Sequence, residues 1–165
     1  MESLGEAYKR LFSNEKVEYH EPEPKDFVEY AKKAYDIDFN LQKNCNKYTE
    51  IRKKVFFRKK NRRKLLEEIQ KINMEAAWLW ANLETEKCMA KLTETKEYIE
   101  LLSQMLMDMQ RMCVGCGRQL RIELGEEKGI NNEEAIELEK VIDEYFEKYD
   151  RFTDMNAKYG VLPLK

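Results

Sequence analysis

Residues 30–83 read YAKKAYDIDFNLQKNCNKYTEIRKKVFFRKKNRRKLLEEIQKINMEAAWLWANL. Alternating steps of four and three connect Tyr30, Ala34, Ile37, Leu41, Asn44, Tyr48, Ile51, Val55, Arg58, Arg62, Leu65, Ile69, Ile72, Ala76, Leu79 and Leu83. Seven residues span about two helical turns, so these side chains form one seam, the pattern of a coiled coil. Asn44, Arg58 and Arg62 alone break its apolar character. The surrounding stretch from Lys25 to Val114 holds no Gly or Pro, the residues that most often end helices.

The seam changes frame at Glu84–Lys87 and resumes as Cys88, Leu92, Thr95, Ile99, Leu102, Leu106, Met109, Cys113, Cys116 and Leu120. With no turn residue there, the reading is a continuous helix whose contact face rotates, a tight turn being the alternative. Polar Asn44 on the seam either fixes register or marks a kink. The turn-rich Gly125–Gly129 comes next, and Asn131 with Glu134 has the spacing that caps a last helix over 132–158. Its seam is Ala135, Leu138, Ile142, Tyr145, Tyr149, Phe152, Asn156 and Tyr159. Such a helix folds back over the Cys88–Leu120 face as an antiparallel hairpin. Gly160 ends it before an apolar tail.

Upstream, Ser3 and Glu6 have capping-box spacing, and Leu4, Tyr8, Leu11 and Phe12 share a face, predicting a short amphipathic helix over 2–12. Glu21-Pro22-Glu23-Pro24 belongs to an extended linker. Asp26 and Glu29 then cap the long helix. The expected organisation is therefore 1–24 as short helix and linker, 25–124 as the long helix, interrupted or not, and 125–165 as loop, last helix and tail. The fold expected is all-α, an elongated coiled coil or helical bundle.

Composition agrees. Charged residues make up 38% and aromatics 11% of 165 residues, with a net charge of −2. Mean hydropathy is −0.78. High charge with periodic apolar residues fits helices that are wet on most faces and apolar along a stripe. No run of about 18 apolar residues occurs, so no membrane partner is expected. Met1–Tyr8 has no apolar signal core, and the expectation is a cytoplasmic or nuclear chain with reduced thiols, associated with cytoskeleton or chromosomes.

A stripe this long has no partner of equal length within the chain, which points to other helical subunits or self-association. The partner-facing residues expected are Tyr48, Ile51, Val55, Leu65, Ile69, Ile72, Trp78, Leu79, Trp80 and Leu83. Trp78 and Trp80 point about 200° apart on a helix, so one meets the seam and the other a second neighbour. Arg52, Lys53, Lys54, Arg58, Lys59, Lys60, Arg62, Arg63 and Lys64 form a basic stretch around Phe56 and Phe57. It reads as a solvated face, a nucleic-acid surface, or a dock for an acidic partner.

Cys113-Val114-Gly115-Cys116-Gly117-Arg118-Gln119-Leu120 resembles, over these eight residues, the zinc-hook knuckle of long-coiled-coil DNA-repair ATPases, and many zinc-ribbon knuckles. The resemblance implies one zinc ion held by Cys113 and Cys116 of two copies, since zinc takes four ligands. The same sulfurs also keep step with the helical seam, as buried inert cysteines do. The chain lacks a second Cys-x-x-Cys and any phosphate loop. His20 is its only histidine and stands in the linker. No catalytic set is visible, and the functional expectation is a non-enzymatic adaptor without a cofactor.

Overall fold

The computed structural model describes Ser3 and residues 22–53, 57–87 and 91–163. The helix expected over 2–12, His20, Lys54, Val55, Phe56 and Cys88 lie outside the described residues. Glu23 and Asp26 cap a 3-10 turn at Pro24–Phe27, with the Glu23 N–H donating to Asp26 Oδ2 at 2.8 Å. Four helices follow: α1 Val28–Ile51, α2 Arg58–Lys87, α3 Thr93–Glu123 and α4 Asn132–Ala157. Among the described residues there is no strand, and the protein is all-α.

The four helices pack against one another, each antiparallel to the next. Arg62 at the start of α2 meets Glu123 at the end of α3, and Trp80 late in α2 meets Ser103 early in α3. Arg118 pairs with Glu134, Lys148 with Asp108, and Tyr98 with Asn156, so α4 runs back along α3. Tyr35 reaches Thr153 and Asp38 reaches Tyr145, bringing α4 beside α1.

The long helix expected over 25–124 is thus three helices. Asn44 does not interrupt it: this residue is buried within α1, where its Nδ2 donates to Asn40 O at 2.8 Å. The chain turns after Ile51 and again after Lys87. Folding back lets the stripe cover itself. Tyr30, Ala34, Ile37 and Leu41 of α1 and Leu65, Ile69, Ile72, Ala76, Leu79 and Leu83 of α2 all lie in one core with Ile99, Leu102, Leu106, Met109 and Leu120 of α3. Each buried aliphatic side chain is worth about 1.5–3 kcal/mol. The turn requires Phe57 at φ 56°, a left-handed conformation costing about 1–2 kcal/mol. A few buried leucines outweigh that.

Two further turns are closed as their residues dictate. Asn131 Oδ1 accepts from the Glu134 N–H at 2.9 Å while Glu134 Oε2 accepts from the Asn131 N–H at 3.1 Å, a reciprocal cap for α4. Gly160, at φ 71°, reverses the chain after α4 and places Val161 in the core.

Towards the end of the bundle that holds Pro24–Phe27, aromatic rings fill the core. Phe27, Tyr98, Phe152 and Tyr35 stack at centroid separations of 5.5–6.3 Å. Nearer mid-bundle, the buried Asp38 accepts a hydrogen bond from the Tyr145 hydroxyl at 2.6 Å. Burial raises its carboxyl above the ordinary aspartate value, against the hydrogen bonds from Tyr145 and Gln42. The folded state therefore holds this proton more tightly than the unfolded chain. Its stabilising effect is complete below the unfolded pKa of about 4 and lost as pH rises through the raised folded value. Asp38→Asn keeps an acceptor for Tyr145 and cannot ionise. Thermal melts should show it more stable than wild type at neutral pH, the advantage vanishing in acid. A variant less stable than wild type at neutral pH would refute this account.

Candidate functional site

The turn between α1 and α2, the end of α3 and the start of α4 share one end of the bundle. The basic stretch lies here, and the structure divides it. Arg62 is 2% exposed, its Nε donating to Glu123 Oε2 at 2.6 Å and its Nη1 to Arg58 O at 3.3 Å. Glu123 also accepts from the Tyr48 hydroxyl. Burial pushes the Glu123 carboxyl up, but the hydrogen bonds from Tyr48, Arg62 and Gln119, with the Arg62 charge, bring it below its ordinary value. Burial and the Glu123 contact raise Tyr48 to about 12. Arg62 thus fastens α2 to α3 and is withdrawn from the surface.

Arg63 pairs with Glu126, while Arg118 and Arg121 hold Glu127 and Arg118 also binds Glu134. These contacts tie the α3–α4 connection down. Arg52, Lys53, Arg58, Lys59, Lys60 and Lys64 remain exposed. Arg52 sits over the Tyr48 ring, 5.7 Å from its centroid. Among these cations stands Phe57, 75% exposed.

The residues expected to face a partner are mostly interior. Leu65, Ile69, Ile72, Leu79 and Leu83 are buried in this chain's own core, with Tyr48, Ile51 and Trp80 packed against it. Trp80 Nε1 donates to Ser103 Oγ, which donates to Glu84. Among the described members of this set Trp78 alone is exposed, with Lys33 Nζ 5.3 Å from its ring centroid. Along the described residues the stripe is covered by helices of the same chain.

Cys113 and Cys116 lie one turn apart within the unbroken α3. Gly115 and Gly117 are helical here. Gly115 serves close packing, since a Cβ on it would stand 2.9 Å from the Leu138 methyl carbons of α4. The Cys45 thiol of α1 and burial together hold Cys116 far above the ordinary thiol value, while Cys116 draws Cys45 below it against burial. Burial raises Cys113 to about 12. Thiolates, not thiols, ligate zinc. Among the described residues no group of three or more His, Cys, Asp or Glu side chains is placed to hold a metal ion.

Beside this thiol pair the bundle opens. A cavity of about 580 Å³ lies between α1, α2, α3 and the first half of α4. Asn44, Cys45, Leu65, Ile69, Cys116, Leu120, Leu138 and Ile142 line it. The cause is compositional: α4 carries Tyr145, Tyr149 and Phe152 in its second half but Ala135, Leu138 and Ile142 in its first. The smaller side chains leave α1 and α4 apart. Nothing in the seam pattern distinguishes this gap from filled core. Among the described residues no helix is long and apolar enough to cross a membrane. Comparison with protein families, with characterised proteins and with solved structures finds no match to this chain.

Proposed function

We propose that this chain is a non-enzymatic adaptor, a helical bundle that holds an acidic protein partner at its basic end. The observation that carries this reading is Phe57. It is exposed, held at φ 56°, and followed in sequence by the exposed Arg58, Lys59 and Lys60, with exposed Lys53 four residues before it. Strained backbone at an exposed bulky residue clusters at functional positions, because stability alone would favour Gly there. An exposed aromatic within a run of exposed cations suits an acidic segment carrying an apolar residue. A nucleic-acid duplex fits less well. The first turn of α4 at the same end carries Glu133, which repels a wide polyanion, beside a Glu134 already paired with Arg118. Assembly through coiled-coil helices into cytoskeletal, centrosomal, kinetochore or chromosome complexes is the wider setting of this proposal.

The test is fluorescence anisotropy with a labelled Glu/Leu-rich helical peptide and with duplex DNA, at physiological salt. The peptide should bind the more tightly, and Phe57→Gly should weaken it about tenfold or more. The same substitution should stabilise the fold by about 1 kcal/mol through relief of the left-handed strain. Tighter binding of the duplex, or peptide binding indifferent to Phe57→Gly, would refute the assignment.

A further inference from the structure

We propose that the cavity between α1 and α4 is a binding site for an uncharged, largely apolar small molecule bearing one hydroxyl or amide N–H donor, which Asn44 receives. The volume, about 580 Å³, falls in the roughly 300–1,000 Å³ range of small-molecule sites. A partner helix, about 10–12 Å across, would need far more room. Leu65, Ile69, Leu120, Leu138 and Ile142 supply apolar wall, and of the polar lining residues Thr49, Asn131, Asn132 and Glu139 are solvent-exposed whereas Asn44 is buried.

Asn44 decides the polarity of the ligand. The residue is 4% exposed and lines the cavity. Its Nδ2 is committed to Asn40 O, which fixes the amide orientation. Its Oδ1 is buried with no hydrogen-bond partner. A buried unpaired acceptor is costly, and a ligand donor would remove that cost. The thiols of Cys45 and Cys116, which line the same cavity, make no hydrogen bond to this acceptor.

Charge decides the rest. No Lys or Arg lines the cavity, whereas Glu139 does. Glu133 adds negative charge where α4 begins, the Glu134 carboxylate being paired with Arg118. A carboxylate or phosphate would enter without a cation to meet it. A long-chain alcohol and a sterol share the chemistry that fits: an apolar body with one neutral donor.

The full-length protein loaded with Nile red, a neutral dye, is titrated with 1-dodecanol, dodecyl methyl ether and dodecanoate. The alcohol should displace the dye about tenfold more effectively than either the ether, which lacks the donor, or the anion. Asn44→Leu should erase the preference of alcohol over ether while dye binding persists. Ala135→Trp places bulk at an exposed position of the lining, so the core is untouched, and it should weaken the dye and all three competitors. Dodecanoate binding as well as the alcohol, an alcohol preference that survives Asn44→Leu, or no effect of Ala135→Trp would each overturn the proposal. Neither variant touches Phe57, so the outcome is independent of peptide docking.

Discussion

Glu123→Ala should destabilise the fold by about 3–5 kcal/mol, the cost of leaving a buried charge without its partner. The Arg62 guanidinium is 2% exposed and relies on Glu123 at 2.6 Å. After the substitution it retains only the Arg58 carbonyl among the hydrogen bonds described, and the Tyr48 hydroxyl loses its acceptor. Desolvation makes such a pair expensive to break and cheap to replace. Arg62→Met with Glu123→Leu should therefore recover most of the loss, ending within about 1 kcal/mol of wild type. Urea denaturation followed by circular dichroism measures both. If Glu123→Ala costs less than about 1 kcal/mol, Arg62 reaches solvent readily and the clamp between α2 and α3 is not the structural element described above.

A comparable loss, about 3–4 kcal/mol, is expected for Asn156→Ala. Asn156 is fully buried at the opposite end of the bundle. Its Oδ1 accepts from the Tyr98 hydroxyl at 2.5 Å, and its Nδ2 donates to Tyr35 Oη at 3.2 Å and to Phe152 O at 2.9 Å. One side chain thus joins α1, α3 and α4. Alanine there opens a small cavity and strands the Tyr98 hydroxyl among aromatic rings. Tyr98→Phe removes that hydroxyl while keeping the ring, and should cost about 1 kcal/mol. It also leaves Asn156 Oδ1 unpaired, so Asn156→Ala in the Tyr98→Phe background should cost less than in wild type. Additive losses, measured as a thermodynamic cycle, would show that the two residues do not act together.

The polar seam residues show how far a pattern can be read. Arg62, expected on the seam but also in the basic stretch, and Asn156 are buried, whereas Arg58, on the same seam, is exposed. The partners of Arg62 and Asn156 were invisible, because Glu123 and Tyr98 stand 61 and 58 residues away. Asp108 is a similar case. It lies off the seam and would pass for surface, yet it is 2% exposed and bound by Lys148 at 2.5 Å. Phe57 gave no turn signal, since a bulky aromatic is among the last residues expected in a left-handed conformation. The candidate cavity was hidden for a different reason. Seam positions in the first half of α4 are apolar like those in the second, and only side-chain size, read across four helices at once, exposes the gap.

The amino-acid order alone determined that this chain is helical and which faces of its helices are apolar, because a period near 3.5 is a local property of side-chain spacing. The capping residues of α4 belong to the same local chemistry. Where the stripe finds its cover was decided by tertiary structure. Ending α1 and α2 forfeits helical hydrogen bonds, whereas pairing the stripe with itself gains burial along three helices. That comparison is between contacts distant in sequence, and spacing along one helix does not contain it.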